Sequence, residues 1–234
     1  MNNLRGGITE YSGGTIYIAG GKVTVERCKV LRGGWWNGSR TEGGVKYDSG
    51  AITLASGDVT VANTLIADGH AYAFEVSGGT LSIDRSTLVG NDTAAILQKG
   101  GSVTIANSIV WNNVTSFKRT GGDLTATYSD IDGGFTGIGN VGVDPLFADT
   151  TYYHLKSTAG HCDGGWFASG AWVTDDESSR LIDTGDPAAD AGAEPQPNGH
   201  RLNIGYDAGT PAASKTYLGE PAVPTSLAMY IHPL

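Results

Sequence analysis

The chain has 234 residues, of which 36 are glycine and only 17% are charged, and its formal net charge at pH 7 is −9. So much glycine excludes a long helical bundle, because each glycine within a helix costs about 1 kcal/mol relative to alanine. The acidic balance argues against a nucleic-acid partner, whose phosphates require basic residues. The sequence also contains no apolar run of the roughly 20 residues that span a membrane.

A repeat of about 22 residues occupies the first part of the chain. Each copy begins with a glycine, which is followed by an apolar residue, a threonine or serine, and a second apolar residue. A small residue and an aliphatic residue then occupy the seventh and ninth positions after the glycine. Alternation of this kind predicts a strand with one buried face. The anchor glycines of the copies are Gly21, Gly57, Gly79, Gly101 and Gly122.

Two further strands complete each repeat. A third, short strand crosses the small and aliphatic positions, and another strand ends before each anchor glycine. The strands before the glycines are expected at residues 15–18, 51–54, 72–76, 94–97 and 115–118. Three short strands joined by glycine turns predict an all-β fold, a right-handed single-stranded parallel β-helix (solenoid). We expect about five to six coils of ~22 residues within residues 1–147.

The interval between the first two anchor glycines is longer than the others. Its extra residues, 32–48, predict a loop that leaves the coil and that carries the adjacent Trp35 and Trp36. Two interpretations remain open for these side chains. They either pack against the flank of the solenoid or form an aromatic platform for a sugar ring or a partner.

The strands before the anchor glycines also predict an outward column of side chains. Glu75 and Lys118 belong to this column, and the strand spacing separates them by about 9–10 Å. Lys118 could act as the base of a lyase-like site, but solvated surface side chains explain the same pattern, so catalytic residues stay unassigned. The candidate carbohydrate- or partner-binding residues are Trp35, Trp36, Tyr72, Glu75 and Lys118.

The repeat stops after Phe147, and the remaining sequence is acidic and rich in turns. A solenoid must close its open end, because unpaired edge strands invite stacking with another chain. We therefore predict that residues 148–216 form a capping region packed on the β-helix. Residues 217–234 are expected to form a tail or linker, with strand addition by residues 226–231 as the alternative.

Metal and disulfide chemistry are not expected. Carboxylates of the capping region could offer oxygen ligands to calcium, but no EF-hand or nonapeptide calcium pattern accompanies them, so we predict no cofactor. Cys28 and Cys162 are separated by several predicted coils, so they are expected to be free thiols. The carboxylates are those of Asp183, Asp186, Asp190, Glu194 and Asp207.

Several segments of the chain resemble a known group of proteins. The segments are Gly13-Gly-Thr-Ile-Tyr-Ile-Ala-Gly-Gly-Lys-Val-Thr-Val25, Asp144-Pro-Leu-Phe-Ala-Asp149, Tyr153-His-Leu-Lys156 and Asn203-Ile-Gly-Tyr-Asp207. They are similar to right-handed parallel β-helix repeat proteins of secreted bacterial type, including the choice-of-anchor-like region that follows such repeats. The resemblance implies an extracellular or cell-surface location, although the chain shows no signal peptide.

The fold implied by this resemblance does not determine one activity, because it carries lyases, adhesins and structural proteins alike. The first expectation is a structural or adhesive solenoid that self-assembles head to tail, through its N-terminal edge and its C-terminal tail. The alternative is a polysaccharide-active, lyase-like enzyme or an inactive relative that binds glycans. Neither nucleic acid nor a membrane span is expected.

Overall fold

The computed structural model describes residues 16–34, 50–165 and 170–216. Within these ranges the secondary structure is entirely β, without a helix, which confirms the predicted all-β class. Three parallel sheets, A, B and C, each contain five strands, and a short antiparallel pair lies in the capping region. The strands of this pair are β16 (His161–Asp163) and β17 (Ala171–Val173).

Each coil contributes one strand to each of the three sheets. Sheet A contains β1 (Ile16–Ile18), β4 (Gly50–Leu54), β7 (Tyr72–Val76), β10 (Ala94–Gln98) and β13 (Phe117–Arg119). Sheet B contains β2 (Lys22–Glu26), β5 (Asp58–Ala62), β8 (Thr80–Asp84), β11 (Ser102–Ala106) and β14 (Asp123–Thr127). Sheet C contains β3 (Lys29–Leu31), β6 (Leu65–Ala67), β9 (Thr87–Val89), β12 (Ile109–Trp111) and β15 (Asp130–Ile131).

Each strand from β1 to β12 pairs in parallel with the strand three places further along the chain, so the repeats stack as a β-solenoid. The described solenoid makes about four turns, slightly fewer than the five to six coils expected from the sequence. After Ile131 the chain leaves sheet C, and the described residues that follow add no further strand to sheet A.

The core lies inside the solenoid and is built from the inward columns of all three sheets. In sheet B the inward residues are the two apolar positions of the repeat, and the hydroxyl residue between them faces outward. Stacked aliphatic side chains from successive coils therefore form one continuous apolar column. Members of this core from the three sheets include Ile52, Phe74, Ile96, Val61, Ile83, Ile105, Ile66, Leu88 and Val110.

The anchor glycines occupy the corner between sheets A and B, as the repeat predicted. Gly79 has a φ of +78°, a conformation that L side chains rarely adopt. A Cβ atom on Gly79 would also overlap the carbonyl oxygen of Gly57 in the preceding coil. Glycine is therefore required at this corner both by the backbone turn and by the close approach of the coils.

A ladder of hydroxyl groups explains the small residue at the seventh position. The Ser86 amide donates to Ser108 Oγ over 3.0 Å, and the Ser108 amide donates to Ser129 Oγ over 3.2 Å. Each hydroxyl in turn donates to the carbonyl oxygen two residues before it, as Ser108 does to Ala106 over 2.6 Å. Thr64 continues the ladder toward the first coil. The hydroxyls thus satisfy buried amides at the corner between sheets B and C.

Replacing Ser108 by alanine is expected to reduce the free energy of unfolding by about 1–3 kcal/mol, because it leaves the buried Ser86 amide without its acceptor. Thr104→Ala is the matched control, since Thr104 is an exposed hydroxyl residue in the same coil, and its expected cost is below about 0.5 kcal/mol. Urea unfolding of both variants measures the difference. Equal losses in the two variants would show that the ladder contributes nothing specific.

The end of the solenoid is closed by residues 132–143. The Phe135 ring meets the Phe117 ring edge to face, with the centroids 5.3 Å apart, and packs against the core. Asn140 completes the ladder, because its Oδ1 accepts a hydrogen bond of 3.0 Å from the Ser129 amide. The same side chain donates to the carbonyl oxygen of Ala126 over 2.9 Å. These contacts satisfy edge groups that a sixth coil would otherwise bind.

The described residues of the capping region, 148–165 and 170–216, pack on the outward face of sheet C. Ile109, in the outward column of this sheet, is buried against Leu155, Leu181 and Ile204. Leu65 in the same column contacts Tyr153 and Tyr206. The outer face of sheet C is therefore largely apolar in the middle coils, apart from the buried Thr87 between Leu65 and Ile109, and the capping region is joined to the solenoid through this face.

Candidate functional site

The outward column predicted for sheet A is present in the expected register. Tyr17 pairs with Thr53, Thr53 with Glu75, Glu75 with Leu97, and Leu97 with Lys118. Glu75 and Lys118 therefore lie two coils apart in one column, as the sequence indicated. The order of side chains along this column is therefore the part of the predicted surface site that the strand pairing shows.

The partners of these residues differ from a lyase-like arrangement. Glu75 is only 8% exposed, and its carboxylate accepts a hydrogen bond of 2.6 Å from Lys99 Nζ. Tyr72 is buried in an apolar cluster with Leu97, whereas Lys118 lies exposed at the end of the column. The structure thus brings Glu75 to Lys99 rather than to Lys118. Trp35 and Trp36 lie outside the described residues.

The five acidic residues considered as calcium ligands mainly bind backbone amides. Glu194 Oε1 accepts hydrogen bonds from the amides of Asn203 and Gly209, over 3.0 and 2.8 Å. Asp183, Asp186 and Asp190 likewise accept amides of neighbouring turns. In the part of the chain that the structure describes, no group of three histidine, cysteine or acidic residues is arranged to hold a metal ion. The carboxylates stabilise the turns of the capping region.

A buried histidine–aspartate pair is the strongest polar feature of the capping region. His154 is fully buried, and its Nδ1 lies 2.6 Å from Asp207 Oδ2. Its Nε2 lies 3.3 Å from the carbonyl oxygen of Gly165. The ring of Tyr152 stacks on the imidazole with a centroid distance of 5.9 Å. Both ring nitrogens therefore face oxygen acceptors, and only the protonated imidazolium can donate to both.

Electrostatics agrees with this geometry. Burial alone would lower the pKa of His154, but the hydrogen bond and the charge of Asp207 outweigh burial and raise the pKa above 6.5. Burial raises the pKa of Asp207 above its ordinary value, against the opposing effect of His154. The pair therefore retains its proton to a higher pH than an isolated histidine would. Asp207 Oδ1 is buried and has no hydrogen-bond partner among the described residues.

Comparisons with models of protein families, with curated proteins and with solved structures found no match for this chain. The parallel β-solenoid is shown by the strand pairing itself. Export and a C-terminal attachment region, which the sequence resemblance implies, stay predictions. Among the described residues there is no helix long and apolar enough to cross a membrane.

A small cavity lies beside the pair, between the capping region and sheet C. Its volume is about 10 Å³, which is enough for about one water molecule. Thr87 and Ile109 of the solenoid and Leu155, Tyr206 and Asp207 of the capping region contribute to its walls. Because His154 is enclosed and the adjoining space is so small, the pair is suited to holding chain segments together rather than to meeting a substrate.

Two more buried carboxyl groups have raised pKa values. Burial raises the pKa of Asp130 to about 7, assisted by the charges of Asp132 and Asp144 and opposed by a hydrogen bond from the Val143 amide. Burial likewise raises the pKa of Glu194 to about 7. In each residue one carboxyl oxygen is buried without a hydrogen-bond partner in the described ranges. Glu194 lies in the capping region and Asp130 lies where sheet C meets it. Ionisation of these two carboxyl groups therefore affects the packing of the capping region.

The capping region contains a second histidine–aspartate pair. His161 Nδ1 lies 2.6 Å from Asp175 Oδ2, entirely within the capping region. Cys28 and Cys162 are not joined in a disulfide bond, as predicted. Sequence reasoning missed the His154–Asp207 pair, although it had singled out both segments that carry it. A separation of 53 residues in the sequence gave no spacing signal for their contact.

Proposed function

We propose that this protein is an extracellular or surface-displayed structural or adhesive solenoid module. The observation that carries the proposal is the position of the strongly perturbed ionisable groups. His154, Asp130 and Glu194 are all buried where the capping region is assembled and docked. A catalytic group must reach its substrate, whereas these groups are enclosed. Their chemistry supports a rigid closed module.

The outer face of sheet B supports an adhesive role. An outward column of hydroxyl residues, exposed except at the half-buried Ser82, is formed by Thr24, Thr60, Ser82, Thr104 and Thr125. Successive side chains in such a column repeat at the strand spacing of about 4.8 Å. A regular exposed face of this kind offers many equivalent weak contacts to a repetitive surface, which is how adhesion gains strength through multivalency.

The two ends of the solenoid differ, and this difference supports directional assembly. Val23 and Val30 in the first described coil are half-buried, whereas the equivalent Val59 and Ile66 of the next coil are buried. The first described coil can therefore bury further apolar surface in an additional contact, and self-association is the contact proposed here. At the opposite end residues 132–143 already close the core, so a contact there is proposed to use residues 217–234.

Sedimentation velocity and electron microscopy of the full chain test this proposal. We expect concentration-dependent rods, and we expect deletion of residues 221–234 to abolish them while the solenoid remains folded by circular dichroism. A monomer at all concentrations that also fails to adhere to extracellular polysaccharide or protein surfaces would contradict the proposal. Release of unsaturated uronates from an acidic polysaccharide, or glycan binding lost in a Trp35→Ala/Trp36→Ala variant, would favour the polysaccharide-active alternative.

A further inference from the structure

We propose that the His154–Asp207 pair is a proton-controlled latch that holds the capping region on sheet C while the imidazole is protonated and loosens it when rising pH removes that proton. This inference is independent of the proposed function, because it concerns the docking of one part of the chain on another. It stands on three features of the structure. These are the segments that the pair joins, the acceptors around the imidazole and the sign of the neighbouring charges.

The pair joins segments that are distant in the sequence and fastens them to the solenoid. His154 directly follows Tyr153, and Asp207 directly follows Tyr206; both tyrosines pack against Leu65 of sheet C. The Tyr206 amide donates to Thr87 Oγ1 of sheet C over 3.1 Å. The carbonyl oxygen of Tyr206 accepts a hydrogen bond of 2.9 Å from Asn63 Nδ2 at the solenoid corner. Separation of His154 from Asp207 would therefore act directly on the contacts that dock the capping region.

Loss of the proton would remove more than one hydrogen bond. The neutral imidazole can donate to only one of its two acceptors, Asp207 Oδ2 and the Gly165 carbonyl, so one lone pair would face an oxygen. The carboxylate of Asp207 would then be buried without its counter-ion, while its Oδ1 already lacks a hydrogen-bond partner among the described residues. An unpaired buried charge is strongly unfavourable, so the docked state favours the protonated pair.

The acidic neighbours of the pair act in the same direction. Asp149 contributes to the raised pKa of His154, and Asp207 also interacts with Glu194. Tyr206, which donates its hydroxyl to the Tyr152 carbonyl, and Cys162 are the other ionisable groups at this point. On the solenoid side, Asp68 accepts a hydrogen bond of 3.1 Å from the Tyr153 hydroxyl. The carboxyl groups among these neighbours are negative when ionised, so they favour the protonated imidazole. The hydrogen bond from Tyr206 opposes them in part, because it lowers the pKa of Asp207. Arg85 is the basic group on the solenoid side, where it lies beside Gly209.

The sign and the range of the pH dependence follow from linkage. His154 has a higher pKa in the folded state than in the unfolded state, so its contribution is complete below 6.5 and is lost as the pH rises through the raised folded value. Within that window the equilibrium constant for opening rises by up to about tenfold per pH unit for one released proton. The raised pKa values of Asp130 and Glu194 have the same sign but act at lower pH, up to about 7.

Hydrogen exchange of the whole chain between pH 6 and 9, corrected for intrinsic rates, tests the latch. We expect protection of peptides around Leu155 and Tyr206 to fall as the pH rises, while peptides of β8 and β11 in the solenoid keep theirs. Protection that does not change with pH in residues 148–216 would overturn the proposal. A loss of the same size in the solenoid would overturn it too, because it would indicate global unfolding rather than local release.

Substitutions separate the latch from other titrating groups. His154→Gln and Asp207→Asn should both reduce protection at pH 6 toward the wild-type level at pH 9, and above pH 6.5 they should leave only the weaker pH dependence that Asp130 and Glu194 contribute. His161→Gln is the matched control, because it breaks the buried pair with Asp175, and it should leave that dependence intact. Equal effects of His154→Gln and His161→Gln would contradict a specific role for the pair.

A measurement on the unsubstituted protein keeps the proposal testable if the variants fail to fold. Nuclear magnetic resonance of histidine-labelled protein should show that the imidazole of His154 remains protonated above pH 6.5. Its titration should coincide with the loss of protection in the capping region. An imidazole of His154 that titrates at or below 6.5, or that is neutral throughout, would overturn the latch.

Discussion

Gly79→Ala is expected to reduce the free energy of unfolding by about 2–5 kcal/mol. The left-handed backbone conformation contributes about 1–2 kcal/mol for a residue with a Cβ. The remainder comes from overlap of the new methyl group with the Gly57 carbonyl, and overpacking of this kind costs about 1–3 kcal/mol. Because both groups belong to stacked coils, the overlap can be relieved only by separating the coils.

Gly133→Ala provides a control for the backbone conformation alone. Gly133 has a φ of +81°, close to that of Gly79, but a Cβ at this position meets no atom within 4 Å. We therefore expect a cost of only about 1–2 kcal/mol for this variant. Denaturant unfolding of the two variants under identical conditions gives the difference. If Gly79→Ala were no more destabilising than Gly133→Ala, the close approach of the coils would have no energetic weight.

Stability is expected to fall by several kcal/mol as the pH rises from about 4 to about 7. Over this range folded Asp130 and Glu194 keep protons that the unfolded chain has released, so the folded state binds more protons and loses stability with rising pH. The raised pKa values correspond to upper limits of about 4 kcal/mol for Asp130 and about 3 kcal/mol for Glu194. Urea unfolding at a series of pH values measures the slope.

Asp130→Asn and Glu194→Gln should each flatten this pH dependence, because an amide does not ionise. Each amide keeps one oxygen as an acceptor for the backbone amides that the carboxyl group binds, but its NH₂ group lacks a partner, which costs about 1–3 kcal/mol at all pH values. Asp58→Asn is the control, since Asp58 lies exposed on sheet B, and it should leave the slope unchanged. Unaltered slopes in both buried variants would show that these carboxyl groups do not control the pH dependence.

The repeat predicted the solenoid well because each of its columns has a direct physical cause. The apolar positions of the five copies became one core, and the anchor glycines became the corner between sheets A and B. The sequence showed a small residue at the seventh position of each copy, but it did not show why that residue is small. The reason is the hydroxyl ladder, in which Ser86 and Ser108 bind across successive coils. Such a ladder depends on stacking, which a single repeat does not reveal.

The candidate surface site was predictable only as a column. The sequence placed Glu75 and Lys118 in one outward row, and the strand register confirms that row. It could not indicate that Glu75 would pair with Lys99, which lies just after the next strand along the column. That contact depends on side-chain direction at the end of β10 rather than on the alternation within the strand. The partners of side chains at strand ends therefore cannot be predicted from the repeat period alone.

By itself the sequence determined the all-β solenoid, its three strands per coil and its glycine corners, because a regular repeat expresses local turns and alternating burial directly. Only the tertiary structure decided how the capping region docks on sheet C and that His154 meets Asp207 within it. The capping region has no repeat, so its contacts join residues far apart in the chain. Their energies come from burial and charge pairing, which exist only once those segments have come together.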